Sequence, residues 1–245
     1  VSGVVSVVAK RNITYNSGSS IREPLARRTV RSILPNASTY SGLFYPNTGA
    51  SLASSGFFTA TIASGGSGMF SADILLDGGS YPFVGKFDSS GNAECTVPRT
   101  GKTPLKVSLD FDSSSNQITG GITSGDWRSV LRASRALFDS ATANVAGQFA
   151  LVVPSGAAAP AGYLSITNTA GGTALVTGTL ADGADIFRAA TKVQGPAIPF
   201  YTPLYSGQGL FLGWITFTNS PAWANPGPAI WIGPGFTNLT DIIVK

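Results

Sequence analysis

The sequence predicts an all-β chain: two antiparallel barrel-like or sandwich-like subdomains in tandem, behind an N-terminal arm that adds an edge strand. Three observations carry this. Short runs rich in Val, Ile, Thr, Phe and Tyr recur roughly every 8–14 residues, each closed by glycine-bearing turn residues. The composition has 30 glycines, 15 prolines and only 11% charged residues against 43% apolar ones, which suits neither a helical bundle nor a disordered tail. Several strand–turn phrases also recur along the 245 residues, a length that at ~150 residues per domain allows one large or two small domains.

Residues 1–39 form the arm. Its start, VSGVVSVVA, is a β-branched run that reads as one strand with no partner nearby in sequence, and a lone strand needs a sheet edge to pair with. Lys10, Arg11, Arg22, Arg27, Arg28 and Arg31 stand against Glu23 alone in residues 1–35, so this segment carries +5 of a net charge of +4 and the rest of the chain is nearly neutral. An arginine-rich extension on a β body can neutralise phosphates, as in the coat proteins of small RNA viruses. Here the charges are interleaved with Leu25, Val30, Ile33 and Leu34, a pattern that fits an arm lying along a protein surface better than a nucleic-acid tether. Val1 is not a methionine, which reads as a processed or cut chain in which a removed export signal would leave no trace.

Residues 40–140 are the first β subdomain. YSGLFY, GFFTATIA, MFSADILL, SYPFVGKF, NAECTVP, PLKVSLDF and QITGGIT follow one another, with Asp77-Gly78 and Ser90-Gly91 as hairpin signals. The stretch Trp127–Phe138 is ambiguous between helix and strand. Trp127, Val130, Leu131, Ser134, Leu137 and Phe138 share one helical face and Arg128, Arg132 and Arg135 another, whereas its place directly after the QITGGITSGD hairpin favours a strand.

Residues 141–245 are the second subdomain, with GQFALVV, GYLSIT, ALVTGTL, DIFRAAT, LFLGWITF and AIWIG as strands. Three echoes link the halves: Val176–Gly183 with Ile118–Gly125, Leu180–Gly183 with Leu75–Gly78, and Tyr205–Gly207 with Tyr40–Gly42.

The chain has no histidine, which removes Ser-His-Asp and Cys-His arrangements and imidazole-based zinc sites; the single Cys95 closes no intrachain disulfide and builds no thiolate cage. No G-x-S-x-G, S-x-x-K or phosphate-loop pattern occurs, and no apolar run reaches the ~18–20 residues of a membrane span. Asp110, Asp112 and Asn116 place oxygen ligands on one strand end but lack the further acidic ligand of a calcium loop, so they read as a solvated strand end. No catalytic residue, metal site or cofactor is assigned.

Nine of the chain's 25 aromatics fall within residues 200–236. Rigid aromatic rings stack on sugars, and Trp223, flanked by helix and strand breakers, with Tyr201 and Tyr205, forms the candidate polysaccharide site. LFLGWITF is apolar on both faces, so Trp214 reads as buried between layers.

The phrases YSGLFY…SSGFFTATI, FSADILLDGGSYPFVGKFDSSGNA, QITGGITSGDW, LADG and PFYTPLYSGQGLFLGWITF resemble repeat modules of very large exported bacterial surface proteins, often found beside immunoglobulin-like repeats. The resemblance spans roughly residues 40–245 and leaves the arm outside. It implies an all-β, secreted, non-catalytic module and carries no catalytic residues across.

These readings converge on a non-enzymatic structural or adhesive module, extracellular or on a cell surface. Val4, Val5, Val7 and Val8 would supply a pairing strand that joins identical copies into fibres by strand addition. The alternatives are a carbohydrate-binding module using the C-terminal aromatics and a coat-type protein with a nucleic-acid-contacting arm.

Overall fold

The computed structural model describes residues 5–6, 29–30, 37–47, 49–137, 148–153, 161–168, 172–195, 197–216, 228–241 and 243–244. In the arm, β1 (Val5–Ser6) pairs antiparallel with β2 (Thr29–Val30), Val5 opposite Val30. The arm therefore holds two strands where the sequence suggested one, and the partner of Val5 lies within the arm itself. Val4, Val7 and Val8 lie outside the described residues.

The first subdomain is a single meander of eight strands: β3 (Ser38–Tyr45), β4 (Gly56–Ile62), β5 (Met69–Leu76), β6 (Gly79–Lys86), β7 (Asn92–Arg99), β8 (Lys102–Asp112), β9 (Gln117–Ser124) and β10 (Trp127–Arg135). Each strand pairs with the next except β6 with β7, and β10 returns to pair with β3, Arg135 opposite Tyr40. The sheet is thus a nearly closed barrel with one seam. Asp77-Gly78 makes the β5–β6 hairpin with both residues at positive φ, the geometry that twists with its flanking strands. The segment from Trp127 is a strand: alternation sends Ser129, Leu131 and Ala133 into burial and leaves Arg128 and Arg132 outside. The arginine spacing that mimics a helix is overridden by two flanking strands with backbone groups to satisfy.

Alternation fills the barrel. β8 shows it most regularly, with Leu105, Val107, Leu109 and Phe111 buried while Lys106, Ser108 and Asp110 face out. Tyr40, Phe44, Phe58, Phe70, Phe87 and Phe111 meet inside, with Phe70 and Phe87 ring centroids 4.8 Å apart. Apolar inside and polar outside is the reverse of a lipid-facing barrel.

The second subdomain repeats the plan. β11 (Gln148–Val153), β12 (Gly162–Asn168), β13 (Thr173–Thr179) and β14 (Asp185–Thr191) form one meander, and β15 (Ala197–Leu204), β16 (Gly209–Thr216), β17 (Pro228–Gly233) and β18 (Phe236–Asp241) form another. One residue beyond β18, β19 (Ile243–Val244) pairs with β11, Val244 opposite Leu151. The two sheets share one core, in which Leu164, Ile166 and Val176 meet Phe200, Phe211 and Trp231.

Both circuits leave their seam between the fourth and fifth strands. Proline explains why: β6 carries Pro82, β7 carries Pro98 at a register shift, and β15 carries Pro199 and Pro203, none of which has an N–H to offer a neighbour. Side chains bridge the first seam, with the Arg99 guanidinium 5.8 Å from the Tyr81 ring centroid and the Asp77 carboxylate paired with Lys102. The same prolines hide β15 from a reading based on strand propensity.

One sequence echo, Val176–Gly183 with Ile118–Gly125, is structural along its strand, whereas Leu180–Gly183 and Leu75–Gly78 share only a turn glycine, because Leu75 faces outward while Leu180 is buried in the second core. Gly120 in β9 and Gly178 in β13 occupy the third strand of the four-strand runs β7–β10 and β11–β14, at φ 156° and 146°, each opposite a leucine of the preceding strand, Leu109 or Leu164. A Cβ on Gly120 would lie 2.0 Å from the Ser108 carbonyl oxygen, and one on Gly178 would lie 2.1 Å from that of Tyr163. The turns that follow also match, with Gly78, Gly125, Gly183 and Gly235 all at positive φ between the third and fourth strands of the runs β3–β6, β7–β10, β11–β14 and β15–β18. The Tyr-Ser-Gly echo is not structural, because Tyr40–Gly42 lies within β3 while Tyr205–Gly207 forms a short 3-10 turn between β15 and β16.

The barrels are joined by a cross-strand row on the outside of the first, Leu43, Phe57 and Leu75, which docks on the outside of β15–β17 through Tyr201, Leu210, Leu212, Ile230 and Ile232. Phe57 stacks on Tyr201 with centroids 6.4 Å apart. Trp214 is half-buried in the same cluster, so β16 is packed on both faces. Backbone joins them too: Leu137 N–H donates to Lys192 O at 2.9 Å and Gln194 N–H to Arg135 O at 2.6 Å, around the Ala136–Val193 bridge. Replacing Gly178 with Ala is expected to lower stability by about 2–3 kcal/mol, read as a fall in the thermal midpoint, because the added carbon meets backbone that cannot yield.

Candidate functional site

The described inward positions of both barrels are apolar and buried, so polar and exposed aromatic side chains gather on the outer strand faces. On the first barrel, β7–β10 hold a groove of about 580 Å³. Pairing aligns Thr96, Lys106, Thr123 and Arg128 in one outward row across four strands, and Glu94, Ser108 and Gly121 in the next. Gly121 leaves the floor open: Arg128 Nε lies 3.8 Å from where a Cβ of Gly121 would sit. The Ser108 hydroxyl donates to the Gly121 carbonyl at 3.4 Å. Two cations and one carboxylate give the groove a positive balance. Cys95 stands at its edge, beside the seam, its thiol 4.0 Å from the Val84 carbonyl; burial pushes that thiol up, away from the reactive thiolate.

Among the described residues of the second barrel, Tyr163 and Phe187 are the most exposed rings, ahead of Phe236. Tyr163 on β12 is 66% exposed and Phe187 on β14 is 79% exposed. They share the outer face of the five-stranded sheet: Tyr163, Thr179 and Asp185 form one row, and Ser165, Thr177 and Phe187 the adjacent one. The Thr179 hydroxyl donates to Asp185 Oδ1 at 2.9 Å. Two strand spacings and two residues along the strand separate the rings by roughly 12 Å.

The aromatics singled out in the sequence fall elsewhere. Tyr201 is only 4% exposed, enclosed between the barrels against Phe57, and desolvation pushes its phenol up to about 12. Tyr205 sits in the 3-10 turn at positive φ, its hydroxyl donating to the Asp182 carboxylate and accepting from Trp231 Nε1 at 2.9 Å. Burial, then the Asp182 carboxylate, pushes it up to about 12. It ties the β13–β14 turn to the β15–β16 turn, and its ring is a brace rather than an open platform. Trp223 lies outside the described residues.

Sequence reasoning missed Tyr163 and Phe187. The available signal was local: in GYLSITN the alternation Tyr-Ser-Thr defines an outward face on which an aromatic has no core to join. At the other sequence-derived candidate, Asp112 accepts from Ser114 N–H at 2.8 Å, Ser114 Oγ at 2.6 Å and Ser115 Oγ at 2.7 Å. These bonds hold its carboxyl down at about 2 and cap the β8–β9 turn. No family model and no curated protein matches the chain.

The tyrosines set an alkaline limit. The folded chain holds the Tyr201 and Tyr205 protons more tightly than the unfolded chain, whose tyrosines ionise near 10. Their stabilising contribution is complete below pH 10 and is lost as pH rises toward 12. Denaturation midpoints measured across that window are expected to fall more steeply for the native chain than for the Tyr201→Phe, Tyr205→Phe double variant.

Proposed function

We propose that the chain is a non-catalytic structural or adhesive module of an exported bacterial surface protein, working outside the cell by contact of its strand faces. The observation that carries this reading is the docking of Leu43, Phe57 and Leu75 on the sheet β15–β17, which joins two filled barrels into one body. A molecule built this way offers a partner its outer faces, held in fixed relation by packed side chains. For polysaccharide binding, the favouring observation is the pair of exposed rings Tyr163 and Phe187 on a face rich in hydroxyls, in place of the enclosed Tyr201 and the braced Tyr205.

The reading has consequences for folding and for binding. Thermal unfolding of the purified chain is expected to be a single transition, and Leu212→Asp, which buries a carboxylate between the barrels, is expected to cost about 3 kcal/mol and split it in two. Beads coated with the chain are expected to adhere to bacterial cell surfaces. Sustained turnover of an ester, glycoside or peptide substrate that copurifies with the chain would refute the non-catalytic reading.

A further inference from the structure

The two barrels repeat one plan, so each face of one has a counterpart on the other, and the counterparts show which surfaces are left uncovered. In the first barrel Phe57, on the second strand, pairs with Leu75 just before the third-to-fourth strand turn; in the second barrel Tyr163, on the second strand, pairs with Thr179 just before the equivalent turn. Phe57 and Tyr163 are therefore the same position in two copies of the plan. Phe57 is covered by the second barrel, where it stacks on Tyr201, while Tyr163 is two-thirds exposed with Phe187 on the neighbouring row.

The covering surface has a counterpart as well. Tyr201, Leu212 and Ile230 form a cross-strand row on β15–β17, with Tyr201 three residues before the last pair of its hairpin, Leu204 with Gly209. On the first barrel the strands in the same place after the seam are β7–β9, and their outer face carries the row Thr96, Lys106 and Thr123, continued by Arg128 on β10; a register shift between Val97 and Arg99 sets this row one residue further from the β7–β8 turn along β8 than Leu212 is along β16. That row is the groove. Repeating the relation between the two barrels once more therefore sets the Tyr163 face of one chain on the groove of another.

We propose that this chain associates head to tail with identical copies, the Tyr163–Phe187 face of one docking in the Lys106–Arg128 groove of the next. The chemistry matches. Lys106 and Arg128 offer cations and aliphatic stems to two aromatic faces, a contact that strengthens as water leaves. Asp185, in the Tyr163 row, brings a carboxylate to a groove with a positive balance. The groove row is polar where its intrachain counterpart is apolar, so the contact between copies is reversible and weakens with salt, unlike the permanent one within the chain. Because the two surfaces differ, the contact is heterologous, and repetition gives a ring or a filament rather than an isologous pair. This rests on the structural-module reading and names the partner and the surface it uses.

Sedimentation velocity over a concentration series tests it. The native chain is expected to grow in mass with concentration past that of a dimer, and less so at high salt. The Tyr163→Arg, Phe187→Arg double variant removes the aromatic face, and Ser108→Tyr, an exposed strand position, fills the groove; circular dichroism checks that both fold. Each alone is expected to remain monomeric, with association weakened about tenfold or more. Mixed in equal amounts they are expected to form a discrete two-chain complex, since each keeps the surface the other has lost. A mixture that stays monomeric would overturn the head-to-tail contact. A native chain that stays monomeric yet unfolds as one unit would overturn it too, while leaving the structural-module reading standing. Polysaccharide binding by that monomer, lost in the double variant, would assign the aromatic face to a glycan instead.

Discussion

The constraint on which this molecule depends is that every strand of a meander must find a second neighbour, because an open edge leaves backbone donors and acceptors unpaired. The first barrel meets it by returning β10 to β3, and the second by running β18 into β19 beside β11. The residual gap in each circuit falls where proline has already removed the donors, at Pro82 and Pro98 in one barrel and at Pro199 and Pro203 in the other. A seam lined with proline is a poor template for a stray strand, so these residues both interrupt the circuit and guard the interruption.

Once the circuits close, alternation decides everything about their faces. Inward positions carry Phe, Leu, Ile and Val at near-complete burial, which leaves the interiors to the protein's own side chains. Outward positions then divide into three kinds: the apolar row that joins the barrels, the polar groove over Gly121, and the aromatic face of Tyr163 and Phe187.

Much of this was legible in the chain. Glycine at the third-to-fourth strand turns, the strand alternation of PLKVSLDF and the two-sided apolar run of LFLGWITF each report a physical need that only one arrangement meets. Other parts required knowing the neighbours. The arginines of β10 suit a helix until β3 and β9 flank it; Val5 of the arm has no visible partner until Thr29–Val30 folds back on it; β15 looks like a loop because of its prolines. Tyr201 and Tyr205 failed as platforms for a related reason: aromatic density signals burial as readily as display, and the pairing register separates the two.

The return of β10 to β3 places Tyr40 opposite Arg135, so both ends of the first barrel leave from the same rim. Tension drawn through those ends parts the closing ladder one rung at a time, from the rim inward, instead of loading all its rungs together.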